Sequence, residues 1–130
     1  MTPRRIQTLL ALVFLGLGGW SLIFPAQVLS LGIRPEVFTG DRVTTIIMGC
    51  FGAQAVLGGT IMLLSRFTPI TFVVFGIIGS LPFFGFNYYF VFVEKIFTPW
   101  MMLDVFGNIA ILWLCMTGYL TMKRSNMETT

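Results

Sequence analysis

The chain contains no histidine, only two cysteines and very little charge. Of its 130 residues, 10% are Asp, Glu, Lys or Arg, against roughly 25% in soluble domains. The missing histidine excludes a zinc-protease helix, a His-x-x-His iron cluster and the usual haem axial ligand. Cys50 and Cys115 stand alone, which excludes a Cys-x-x-Cys redox pair. Placed on helices of a bilayer, they would lie on the order of 14 Å apart along the membrane normal, at about 1.5 Å per residue. That is beyond disulfide reach, and both read as packing thiols. No nucleophile–base pair and no metal-ligand spacing is present, so no catalytic residue or metal site is assigned and the chain reads as a non-enzyme. No basic stripe with interleaved stacking aromatics points to nucleic acid. No cofactor is called for, bound lipid apart, and no residue pattern indicates a pigment.

What the chain does have is apolar surface: 56% of its residues are hydrophobic, a composition that belongs in a bilayer. The net charge of +3 comes from eight Lys and Arg against five Asp and Glu. Nearly all of these lie outside the apolar runs, a pattern that speaks of topology and anionic headgroups.

Four runs are long enough to span. The first, Ile6 to Phe24, follows the basic Met1–Arg5 and imitates a signal peptide. The large Phe24, two residues before Ala26, fails the small-x-small cleavage pattern, so the run reads as a retained span. Pro25 ends it, and Ala26–Ile33, too short to cross, reads as a short interfacial helix. After the Gly32–Arg42 loop, Thr39 or Asp41 can cap the second span, Val43 to Leu64. Thr68-Pro69 opens the third span with an N-cap hydroxyl and a proline at the first helical position, and Thr98-Pro99 repeats the device. The third span, Pro69 to Val93, carries Pro82 after Gly79 and Ser80, which predicts a kink. Phenylalanines crowd it, and Tyr88, Tyr89 and Trp100 mark a membrane-interface belt. The fourth runs from Pro99 to Met122, leaving Lys123–Thr130 as a polar tail. The predicted fold is all-α and integral to the membrane: one four-helix domain over residues 1–130, an antiparallel up-down bundle. Arg4, Arg5, Arg66, Lys123 and Arg124 outnumber Arg34, Arg42 and Lys95 on the other side. The positive-inside rule then puts both termini in the cytoplasm, in a bacterial inner membrane.

Small residues recur along the second span. Thr45, Gly49, Gly52, Val56 and Gly59, with Ala53 and Thr60 beside them, share one narrow helical face. In lipid such faces let backbones approach closely. The stretch Gly16 to Gly19 of the first span, holding Gly16, Gly18 and Gly19, lies at a depth comparable with Gly49 to Ala53, so a close crossing is expected there, with Gly16, Gly19, Gly49, Gly52, Ala53 and Gly59 as its packing residues. Gln54 points roughly 140° away from Gly49 at 100° per residue. It heads a second face with Cys50 and Gly58 that reads as a contact with a partner helix or a ligand.

Polar residues also gather near the opposite end of the bundle from the termini. Asp104 and Asn108 sit one turn apart on the fourth span, Asn87 lies at similar depth on the third, and Arg42 opens the second. Two readings stand: a latch in which Asp104 pairs with Arg42 and is hydrogen-bonded to Asn87 or Asn108, or a ligand, proton or cation site centred on Asp104.

The run Gly19-Trp20-Ser21-Leu22-Ile23-Phe24-Pro25, the following Leu31-Gly32, the length and the glycine-rich second helix resemble an uncharacterised family of short bacterial four-helix membrane proteins, a domain of unknown function. The resemblance covers nearly the whole chain, implies no established activity and carries over no functional residue. Two functions fit these features. The first is an accessory or scaffold subunit packed against a larger membrane complex. The second is a small oligomeric carrier or pore using the cluster around Asp104.

Overall fold

A computed structural model describes residues 2–127 of the chain. They form five α-helices: α1 (Pro3–Ile23), α2 (Pro25–Gly32), α3 (Arg42–Leu64), α4 (Pro69–Tyr88) and α5 (Met102–Met127). A π-helical turn, Tyr89–Val93, continues α4, and a 3-10 turn, Pro99–Met101, leads into α5. Four stretches are long and apolar enough to cross a membrane: Pro3–Ile23, Arg42–Leu64, Pro69–Val93 and Pro99–Ser125. The polar tail expected from Lys123 onward is helical as far as Met127, and residues 128–130 lie outside the described part.

The helix starts follow from local chemistry. Thr2 caps α1 with Pro3 at its first position, the same Thr-Pro device that opens α4, where Thr68 and Thr71 form a reciprocal capping box. Asp41 caps α3, accepting from the Thr44 N–H at 2.8 Å and from the Thr44 and Thr39 hydroxyls at 2.6 and 2.7 Å. These bonds, the Thr44 hydroxyl foremost, hold the Asp41 carboxyl far below the usual carboxylate range. A carboxyl lowered in this way favours the folded state above its ordinary titration range, and the contribution fades steadily as pH falls through that range toward the lowered value. Helix α4 runs on through Pro82, which has no N–H to offer the carbonyl one turn back.

Two close helix pairs carry the fold. In the first, α1 lies on α3 and their contacts run in opposite chain order. A Cβ placed on Gly18 would lie 2.7 Å from Ala55 Cβ and 2.9 Å from Val56 N. One on Gly52 would run into the backbone of Ser21 and Leu22, and one on Gly59 would lie 2.8 Å from Leu15 Cγ and 3.0 Å from Ala11 O. The backbones therefore touch directly. In the second pair, Gly76 of α4 faces Cys115 of α5, and Gly118 faces Phe72, whose ring is 2.5 Å from where a Cβ would stand.

The crossing falls in the expected stretch, with a different set of small residues in contact. Gly18 makes the crossing, whereas a Cβ on Gly16, Gly19 or Gly49 would meet nothing within 4 Å, and Ala53 is exposed. The reason is angular. Gly52 and Gly59 are two turns apart and define the contact line, while Gly49 and Ala53 lie on its flanks.

The pairs meet through α1, which packs on α5 as well as on α3. Where the start of α1 meets the end of α3, the start of α4 and the second half of α5, Ile6, Leu10, Ala11, Met62, Phe67, Phe72, Ile111, Leu114 and Cys115 form one buried cluster. We call this the terminal end. Phe67, in the turn between α3 and α4, stacks edge-on against Phe72 with ring centroids 5.1 Å apart. At the opposite, loop end the pairs are clasped by backbone. Ile33 bridges Phe97, Arg34 N donates to Ile96 O at 2.9 Å, and Thr98 N donates to Gly32 O at 2.9 Å. The Arg34 guanidinium adds a bond to Phe97 O at 3.0 Å.

Close backbone contact makes a sharp prediction. Gly52→Ala should lower the unfolding free energy by about 1–3 kcal/mol through overpacking. Gly49→Ala should leave it unchanged or raise it by up to about 1 kcal/mol through helix propensity. Equilibrium unfolding of both variants in mixed micelles measures the contrast.

Candidate functional site

Polar side chains inside the spans fall into three settings. The first is fully satisfied. Gln7, 3% exposed, donates through Nε2 to Met62 O and, at 2.9 Å, to Ser65 O, while its Oε1 accepts from Phe67 N at 3.3 Å. Arg4 adds bonds to Ser65 O at 2.9 Å and Leu63 O at 2.7 Å. Together they take up carbonyls that the end of α3 leaves open, and the Arg4 charge opposes the negative end of the helix dipole. Neither residue stood out in the sequence. The signal available was a glutamine one residue into the first apolar run.

The second setting is the cluster on α4 and α5. Asn87, 2% exposed, and Asn108, 4% exposed, both donate from Nδ2 to the same oxygen of Asp104, Oδ2, at 2.7 and 2.8 Å. Asn87 Nδ2 also donates to Phe83 O at 2.9 Å, and Asn108 Nδ2 to Asp104 O at 2.7 Å. One bond thus crosses between the helices and the other braces the carboxylate from its own helix. Asp104 is half-buried and stands in the first turn of α5, where the partial positive charge of the helix start favours an acid. The strap at the loop end positions this cluster, because it holds Thr98 and the 3-10 turn that delivers Asp104. Asn87 lies just before the π-helical turn, a feature with no counterpart in the expected span.

Arg42 is not part of this cluster. It is exposed, and no ion pair joins it to Asp104 among the described residues. Arg42 opens α3, whose main neighbours are α1 and α2, whereas Asp104 faces α4. The expected latch between Arg42 and Asp104 is therefore absent, and the carboxylate has two amide donors and no basic partner. Other polar side chains near the same ends of α1 and α3 are engaged elsewhere: Thr44 serves the Asp41 cap, and Trp20 Nε1 donates to Gln27 Oε1 at 3.0 Å.

Two buried atoms of α4 have no hydrogen-bond partner, Asn87 Oδ1 and Ser80 Oγ. They lie two turns apart on the face turned to α5.

The third setting is the outer face of α3. Cys50 and Gln54 are exposed, as are Ile47, Phe51 and Ile61, and Gly58 is half-buried against Phe14. Gln54 makes no hydrogen bond to any described residue. Cys50 and Cys115 are both free thiols, Cys50 exposed and Cys115 buried. No group of three or more acids or cysteines suited to a metal ion occurs among the described residues.

Comparison of the chain with protein-family models, with curated proteins and with solved structures gives no match in any of the three.

The bond between Asn87 and Asp104 can be tested by a double-mutant cycle with Asn87→Ala and Asp104→Ala. A coupling energy of about 0.6 kcal/mol, and at most about 1.7 kcal/mol, is expected for an interhelical bond in a bilayer. Additive effects would mean that the bond does not hold α4 to α5.

Proposed function

We propose that the protein is a small membrane interaction subunit, docked through the outer face of α3 against a helix of a larger membrane complex. The observation that carries this reading is Gln54. It lies mid-span, exposed and with no hydrogen-bond partner among the described residues, and an amide left unpaired in hydrocarbon costs several kcal/mol. A second helix offering a hydrogen-bonding side chain removes that cost. Small Cys50 and Gly58, one turn to either side, let such a helix come close.

We further infer that the spans alternate in direction as an antiparallel up-down bundle, with α2 lying at the interface. The Lys and Arg distribution supports a cytoplasmic location for both termini. Eight residues make α2 too short to cross.

A second reading, a small oligomeric carrier or pore, is favoured by one observation: Asp104 is half-buried with no basic partner. Unchanged flux in proteoliposomes carrying Asp104→Asn would remove it.

For the subunit reading, purification in mild detergent should bring down a larger membrane assembly in fixed stoichiometry. Gln54→Leu should release that assembly while the chain itself remains folded. A monomeric, partner-free wild-type chain would sink the proposal.

A further inference from the structure

We propose that Asp104 and Asn87 bind a small monovalent cation at the loop end of the α4–α5 pair. The inference does not depend on whether the ion is transported or on which protein covers α3.

The orientation of the Asn87 amide is set by chemistry. Its Nδ2 lies between two acceptors, Phe83 O at 2.9 Å and Asp104 Oδ2 at 2.7 Å. Turning the amide over would set oxygen against both. Asn87 Oδ1 is thereby held buried with no donor, a state that buried carbonyl oxygens avoid. Amide bond lengths keep this oxygen within about 5 Å of Asp104 Oδ2. On the carboxylate itself, both amide bonds go to Oδ2, so Oδ1 is left open. A carboxylate with no basic partner and an orphaned carbonyl oxygen within about 5 Å of it can both be served by one positive charge.

Hard oxygen donors exclude a soft metal. A single carboxylate, with no second acid in the cluster, is too little charge and too few ligands for a divalent ion, which gathers several. One negative charge and neutral oxygens match one positive charge, an alkali ion or ammonium. Access fits as well: the two asparagines are buried, whereas Asp104 keeps part of its surface open.

The test uses the full chain in lipid nanodiscs at fixed pH and ionic strength. Unfolding is followed in sodium, potassium or ammonium chloride against N-methyl-D-glucamine chloride, a cation too large for the site. At least one small cation should stabilise the wild type. The unfolding constant should fall about tenfold for each tenfold rise in that cation above its dissociation constant. Asp104→Asn keeps the shape and an acceptor oxygen, so it should fold and lose the response. Ser80→Ala, two turns deeper, should keep it. For a variant that fails to fold, sodium-23 relaxation on the wild type gives the answer directly, as line broadening that potassium or ammonium reverses. Equal stability in all four salts without such broadening overturns the proposal. So does a cation response that survives in Asp104→Asn, or one that vanishes in Ser80→Ala. With the series repeated at a second pH, a dependence on pH with none on the cation would assign the site to a proton and also overturn it.

Discussion

The direct contact of the α1 and α3 backbones at Gly18, Gly52 and Gly59 is the interaction on which the remaining structure depends. Apolar side chains gain little by leaving lipid for one another, so helices in a bilayer are held by van der Waals contact at short range and by interhelical hydrogen bonds. Bare glycines supply the first. Because α3 has its main neighbours in α1 and α2, this crossing fastens it to the rest of the molecule. It also places the end of α3 where Arg4 and Gln7 can reach its carbonyls. Helix α1 in turn touches α5, which makes it the element shared by both pairs.

Polar groups complete the fold at the two ends and are handled differently at each. At the terminal end, side chains of α1 take up helix-end carbonyls above a packed aromatic and aliphatic cluster. At the loop end, the chain uses backbone: a short bridge at Ile33 and Phe97, reinforced by Arg34 and Thr98. Between them, the α4–α5 pair is joined by small-to-large packing at Gly76 and Gly118 and by the amide-held carboxylate of Asp104. The two glutamines of the spans make an informative contrast. Gln7 has partners for both ends of its amide, and Gln54 has none within the described chain. The same side chain is a clamp in one place and an open valence in the other, because only the first faces a helix of its own molecule.

Much of this was legible in the residues. Apolar runs bounded by Thr-Pro and Asp caps announce helices and their starts, because capping and proline geometry act within one turn. The one-turn spacing of Asp104 and Asn108 already places them on one face, and the depth of Asn87 brings it level with them. Less legible were the choice of Gly18 over Gly16 and Gly19, the clamp made by Gln7, the π-helical turn after Tyr88, and the absence of Arg42 from the carboxylate. Each of these depends on which helix lies beside which and at what rotation. A periodicity of 3.6 constrains that angle only to a broad sector.

The sequence by itself therefore determined the number of spans and the caps that start most of them, since those rest on hydropathy and on hydrogen bonds within a turn. Only the tertiary structure decided the partners. It set α1 between α3 and α5, left Gln54 facing outward, and gave Asp104 two amides in place of an arginine. Side-chain pairing across helices depends on distances of a few ångströms between residues far apart in the chain, and no local pattern encodes them.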